Sequence, residues 1–233
     1  MNISKEPQTT EQTTVGLCDA LQQDPEVQEY LELADTHMAV IGYTEHGSRH
    51  ARRVALGAGM ILERLEYPSE DVELARVAGY LHDIGNFICR TNHGQTSVAL
   101  VFPILKRHGV TNRQAALVLS AIGNHEEEYG QVYNNICAAV MLGDKADVHR
   151  SRVRHYDPSR GDIHDDVNYA VTSSALVVDG KLHRIRLVLE IDSSIATVMD
   201  YFEIFMSRMV MCRSAARFLG CSFHIICNGT ELS

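Results

Sequence analysis

No Cys-x-x-Cys pair occurs among the six cysteines, Cys18, Cys89, Cys137, Cys212, Cys221 and Cys227. Their scatter excludes a disulfide framework and a zinc–thiolate site of the usual spacing. They are expected to be small buried core residues. No apolar run approaches the ~18 charge-free residues that a membrane-spanning helix needs. The first residues are polar and lack the basic-then-apolar pattern of a secretory signal, so a cytoplasmic protein without membrane contact is expected. No Ser- or Cys-centred nucleophile elbow is visible, and no internal repeat or low-complexity tract. Positive charge is scarce: 21 Lys and Arg against 30 Asp and Glu leave a net charge of −9. Binding to nucleic acid rests on neutralising phosphates, so no stable nucleic-acid binding is expected. A small phosphorylated substrate held by a metal and a few cationic side chains remains compatible with this balance.

The composition that is present, 45% apolar and 22% charged over 233 residues, is that of a globular chain large enough for one domain plus a small module. Residues 1–22 are polar and read as a flexible tail. Residues 23–150 carry helical patterns. Pro25 opens a helix to about residue 35, and a longer one covers 47–66 with Val54, Ala58, Ile61 and Leu65 on one face. Ser69 is placed to cap a helix over 69–83 that is apolar almost all round and therefore central. Helices are expected over 95–108, from a Thr111/Gln114 capping box to 123, and over 135–149. Residues 151–167 hold Pro158, Gly161 and many charges and read as a linker. From 168 the pattern becomes strand, strand, helix, strand, with Asp179-Gly180 as the hairpin turn and the helix over 194–219. The expected fold is thus mostly α, a helical core followed by a small α+β module over 168–233 that serves dimerisation or regulation, or caps a site.

Ionisable residues fall on the apolar faces. His50 shares its face with Val54, Ala58 and Ile61. His125 stands four residues after Ala121, and Asp144 four after Val140 and seven after Cys137. His82-Asp83 ends the most buried helix. A lone inward histidine is more often a hydrogen-bonded core residue than a ligand. Inward ionisable groups on four helices need partners, because an unpaired buried carboxylate is costly. A shared divalent cation satisfies all of them, and neutral imidazole with carboxylate suits Fe, Mn, Co, Ni or Zn better than Mg.

The runs His50-Ala51-Arg52-Arg53-Val54-Ala55, Gly79-Tyr80-Leu81-His82-Asp83-Ile84-Gly85 and Gly143-Asp144-Lys145-Ala146-Asp147 resemble the HD superfamily of metal-dependent phosphohydrolases. The resemblance covers about residues 30–150 and implies His50, His82, Asp83 and Asp144 as ligands of one metal. His93 and His125 stand where two-metal members, such as the HD-GYP phosphodiesterases and diadenosine tetraphosphate hydrolases, carry further histidines. By that resemblance they hold a second ion, with Asp83 bridging. There are departures. Tyr129-Gly130 is followed by no proline where the HD-GYP class has Gly-Tyr-Pro, which speaks against cyclic dinucleotide hydrolysis. Asn86 stands where that class usually has Lys. A metal-activated water would be the nucleophile toward a phosphate ester or anhydride, with a nucleotide the expected substrate. Asp83, Lys145 and His46 are the expected catalytic groups, and Arg53 and Lys145 the expected substrate contacts. Arg52 and the run Arg150, Arg152, Arg154 are further cations, more simply read as solvated. An HD-type di-iron oxygenase and a non-catalytic metal-binding signalling protein are the alternatives.

Overall fold

The computed structural model describes residues 16–232. Most of the expected tail lies outside the described residues, but its last part is a short helix, α1 (Leu17–Gln22), which buries Cys18 and Leu21. α2 (Pro25–Val40) has proline at its first turn, and the Asp24 side chain accepts from the amides of Glu26 and Val27. α3 (Ser48–Arg64) buries His50, Val54, Ala58 and Ile61 along one face, as the spacing requires. α4 (Ser69–Leu81) buries Val72, Leu74, Ala75 and every residue from Val77 to Leu81, so it is the central helix. Its N-cap is Pro68, and Ser69 is the first helical residue without a side-chain cap, contrary to the capping role expected for it. A 3₁₀ turn (Ile84–Phe87) leads to α5 (His93–Arg107). α6 (Asn112–Gly123) opens with the Thr111/Gln114 capping box, and α7 (Asn135–Lys145) with Asn134 accepting from the Cys137 amide.

Two glycines let the central helices approach. A Cβ on Gly79 of α4 would lie 3.0 Å from Ala55 backbone atoms of α3, and one on Gly143 of α7 would lie 3.0 Å from the Val54 carbonyl oxygen. A side chain at either position would crowd the neighbouring backbone, so glycine eases the approach of three helices that carry His50, His82 and Asp144.

The expected linker is partly helical: 3₁₀ turns at Arg150–Arg152 and Pro158–Arg160 precede α8 (Ile163–Ala170). Side-chain caps from His149, Asp157 and Asp162 explain why polar, proline-containing sequence still orders. β1 (Val171–Asp179) pairs antiparallel with β2 (Arg184–Ile191), with Leu176 opposite Leu187. α9 (Val198–Phe218) crosses over to β3 (Ser222–Cys227), parallel to β2, and β4 (Thr230–Leu232) closes the sheet antiparallel to β3. The fourth strand extends the expected pattern. The alternating residues Ile185, Leu187 and Leu189 of β2 are fully buried.

The module shares the helical core. Met211, Cys212, Ala215 and Ala216 of α9 and Ile185 of β2 belong to the same apolar cluster as α3, α4 and α7. All six cysteines are free and all but Cys89 are buried, as expected. No helix among the described residues is long and apolar enough to cross a membrane.

Candidate metal centre and its cleft

Each helical end delivers a ligand-type side chain to one place. His50 comes from α3, His82 caps α4 with Asp83 behind it, His93 opens α5, His125 follows α6, and Asp144 lies in the last turn of α7. All except the partly exposed Asp144 are buried. Their donor atoms form three overlapping groups, each within 4.8 Å: His50, His82 and Asp83; His82, His125 and Asp144; Asp83, His93 and His125.

Asp83 faces both ways. Its Oδ2 lies 3.6 Å from His50 Nε2 and 3.5 Å from His82 Nε2. Its Oδ1 lies 3.0 Å from His93 Nε2 and 3.4 Å from His125 Nε2. Asp144 Oδ1 adds to the first group, 3.3 Å from His50 Nε2 and 3.7 Å from His82 Nε2.

The imidazoles are turned so that Nε2 points inward. Nδ1–H of His82 donates to the Gly79 carbonyl at 2.8 Å, that of His93 to Arg90 at 2.9 Å, and that of His125 to Ile122 at 2.6 Å. Nδ1–H of His50 donates instead to Asp147 Oδ2 at 2.7 Å. These tautomers follow from the partners, since a carbonyl can only accept. Four nitrogens are thereby left with inward lone pairs, the orientation that metal-binding histidines adopt. His50 Nε2, His82 Nε2 and Asp83 Oδ1 are buried without a hydrogen bond, the Asp83 oxygen despite its closeness to His93. His93 Nε2 and His125 Nε2 stand 2.9 Å apart. Two bare lone pairs repel at that distance, so a cation, proton or metal, belongs between them. The residues therefore fit divalent metal.

The electrostatics agree. Burial works to raise the Asp83 carboxyl, yet His82, His125 and His93 hold it well below the usual carboxylate range. Asp144 is held down likewise, against burial, by Lys145, His50 and His82. Burial pushes His125 down to about 4, although Asp83 opposes it. His93 goes the other way: Asp83 and Glu126 outweigh burial and raise it to about 9.

An HD-domain family model matches residues 47–152. This segment is an HD domain. Ribonuclease Y of Helicobacter acinonychis (strain Sheeba) is 32% identical over 112 residues, covering 48% of this chain and 20% of that protein. Ribonuclease Y of Helicobacter pylori (strains ATCC 700392 / 26695 and HPAG1) is 35% identical over 103 residues, 43% of this chain and 18% of those proteins. The chain thus spans about a fifth of these relatives' length.

The cluster of the HD domain opens into a cleft of about 360 Å³. Asp83, His93, His125 and Asp144 form its floor, with His46 and Lys145 beside them. Its outer wall is not from the HD domain: Ile204, Phe205 and Arg208 of α9 and His164 of α8 line it. Of the expected catalytic and substrate groups, His46 and Lys145 reach the cleft and Arg53 does not. Arg53 Nε lies 2.8 Å from Asp147 Oδ1, and its Nη2 donates to the Ser174 carbonyl at 3.0 Å, in a separate hollow lined by Gly143, Ala146 and Asp147. It sits one turn after Arg49 on α3, so it shares the Asp147 side of that helix. Of the three later arginines, Arg154 is tied to Asp35, Arg150 lies over the Tyr169 ring, and Arg152 is buried against the Glu45 and Asp147 carbonyls. His46 donates Nδ1–H to the Thr44 carbonyl, and burial, reinforced by Arg152, holds it neutral. Lys145 Nζ is 2.7 Å from Asp144 Oδ2 and 3.6 Å from Glu127 Oε1.

Sequence reasoning gave no role to four groups, although it noted Asn86 as a departure from the HD-GYP class. Asp147, whose side chain is 1% exposed, braces His50 and is surrounded by Arg49, Arg53 and Arg152. Glu126 Oε2 lies 3.1 Å from His93 Nδ1. Glu127 accepts from Arg208 Nε at 2.8 Å and Ser207 Oγ at 2.7 Å, joining the HD domain to α9. Asn86, fully buried, donates Nδ2–H to the Asp83 carbonyl and accepts from Arg90. The one available signal was spacing: Asp147 follows Asp144 by a helical turn, and Glu126 adjoins His125.

Proposed function

We propose that this protein hydrolyses phosphate esters or anhydrides of a small nucleotide, with water as the nucleophile. One observation carries this: Asp83 presents one oxygen to His50 and His82 and the other to His93 and His125, the disposition of a carboxylate shared between two cations. His50, His82, Asp83 and Asp144 would hold one ion, and Asp83, His93 and His125 the other. The donor set suits Fe, Mn, Co, Ni or Zn. Two such ions supply Lewis acidity, acidifying a water and neutralising charge on the phosphoryl oxygens.

The protein's own groups do the rest. Asp147 and the carbonyls of Gly79, Arg90 and Ile122 hold the imidazoles in one tautomer. His46, kept neutral beside the cluster, would accept a hydrogen bond from the attacking water. Lys145 would donate to the leaving-group oxygen. A cleft of about 360 Å³ in an acidic chain supports a nucleotide-sized ligand over a long polyanion. The ribonuclease name of the matched relatives supports phosphate-ester chemistry.

The test is turnover by protein loaded separately with Mn and with Fe, against aryl phosphates, nucleoside mono- to triphosphates and dinucleoside polyphosphates. At least one class is expected to be cleaved, with loss of turnover in EDTA. Failure on every class sinks the proposal, and oxygen uptake with a mixed-valence iron EPR signal would replace it by oxygenase chemistry.

A further inference from the structure

The cations lining the cleft differ in what already holds them. Lys145 lies between two carboxylates, 2.7 Å from Asp144 Oδ2 and 3.6 Å from Glu127 Oε1, and keeps one donor for the leaving group. Arg208 is on Glu127 and stacked on Phe205. Arg152 is enclosed by the carbonyls of Glu45 and Asp147 and lies 3.7 Å from the Asp147 carboxylate. Arg90 alone of the four has no carboxylate partner among the described residues.

Its guanidinium is nevertheless fixed. Nη1 donates to Asn86 Oδ1 at 3.2 Å, and Asn86 is anchored in turn on the Asp83 carbonyl at 3.0 Å. The Tyr43 ring lies under it, 5.2 Å from centroid to Cζ. Both supports are uncharged, so they orient the group without neutralising it. Among the described residues, Nε and Nη2 have no acceptor. Nη1 is 3.4 Å from His93 Nε2, an atom of the metal cluster. The backbone of Arg90 completes the arrangement, since its carbonyl fixes the His93 tautomer.

We infer that Arg90 is the phosphate-recognition residue of this site, gripping two non-bridging oxygens of a phosphoryl group seated on the His93 side of the cluster. An oriented guanidinium with free donors matches a phosphate bidentately, which an ammonium cannot do. A cation already paired with carboxylate has its charge largely neutralised and fewer donors left for two phosphoryl oxygens. This rests on the proposed phosphohydrolase function and adds to it the group that distinguishes a phosphate from an uncharged ester.

The experiment compares wild type, Arg90→Ala and Arg90→Lys, each loaded with the same metal. Metal content is read by inductively coupled plasma mass spectrometry, orthophosphate affinity by calorimetry, and kcat and KM on the best aryl phosphate or nucleotide. All three proteins are expected to hold equal metal. Arg90→Ala is expected to weaken orthophosphate by tenfold or more and to raise KM similarly, with Arg90→Lys between. Orthophosphate affinity and KM within twofold of wild type in Arg90→Ala, on an active wild type, overturn the assignment alone. A wild type that binds no orthophosphate and cleaves no phosphate compound overturns both it and the underlying function. Arg90 is half-buried at the cleft mouth, and Arg90→Lys keeps the charge should the alanine variant fold poorly.

Discussion

The carboxylate of Asp147 sits 2.7 Å from His50 Nδ1, and three arginines, Arg49, Arg53 and Arg152, surround it within 3.7 Å. Asp147 therefore acts on the cluster through His50, fixing the ring and making its inward-facing Nε2 a stronger electron-pair donor. Replacing it with Asn keeps the shape and removes the charge. Asp147→Asn is expected to weaken metal binding about 10- to 100-fold, by analogy with other partners of metal-bound histidines. Equilibrium dialysis against a metal buffer measures it, and unchanged affinity would reduce Asp147 to packing.

The two oxygens of Asp83 make different predictions for different ligands. On the proposed two-ion site, His93→Ala is expected to retain one metal equivalent, because the His50, His82 and Asp83 group stays whole. Asp83→Ala is expected to lose most of both. Metal analysis after gel filtration decides it. Equal retention in the two variants would contradict a bridging role.

Gly85 is packed so closely that a Cβ there would lie 2.3 Å from the His93 carbonyl oxygen and 2.7 Å from the Ser97 amide nitrogen. Backbone cannot yield cheaply. Gly85→Ala is expected to cost about 1–3 kcal/mol or more in urea unfolding and to displace His93. A variant as stable as wild type would show that the 3₁₀ turn shifts freely.

Asp24 supplies a pH dependence remote from the cluster. Burial would raise its carboxyl, but His108 at 2.8 Å, Arg107 at 2.7 Å and the α2 amides lower it from 3.8 to about 2. The folded state thus binds the carboxylate form more favourably than the unfolded chain does. Its contribution is fully present above about pH 4 and is lost as pH falls toward about 2. Asp24→Ala is expected to cost about 2 kcal/mol at pH 7, cap included, and to flatten that acid limb. Thermal melts from pH 2 to 7 measure both.

What the sequence disclosed follows from which forces are local. His50 was legible because Val54, Ala58 and Ile61 mark one side of a single helix, and one helix is enough to say which way a side chain points. The Thr111/Gln114 box was legible for the same reason. His93 needed the family resemblance. It opens a helix just after Asn92 turns left-handed at φ 56, and no periodicity survives such a turn. Arg90 and Asn86 depend on the same loop. Arg53 was misplaced because helical spacing gives a direction but not the neighbour standing there, here Asp147. That the module caps a site is one of the sequence expectations, but which residues of α9 form the wall depends on two segments far apart in the chain packing together.

The HD-domain match ends at residue 152, whereas Phe205 and Arg208 of the cleft wall come some fifty residues later, on a helix whose next turn, at Met211 and Cys212, is part of the central core. On the proposed function, ligand choice and the cleaving centre are therefore written in separate stretches of the gene, so the former would be free to drift while the latter stays fixed. That freedom is bounded on one side, because any change along α9 that alters what enters is also felt by the packing it shares with α3, α4 and α7.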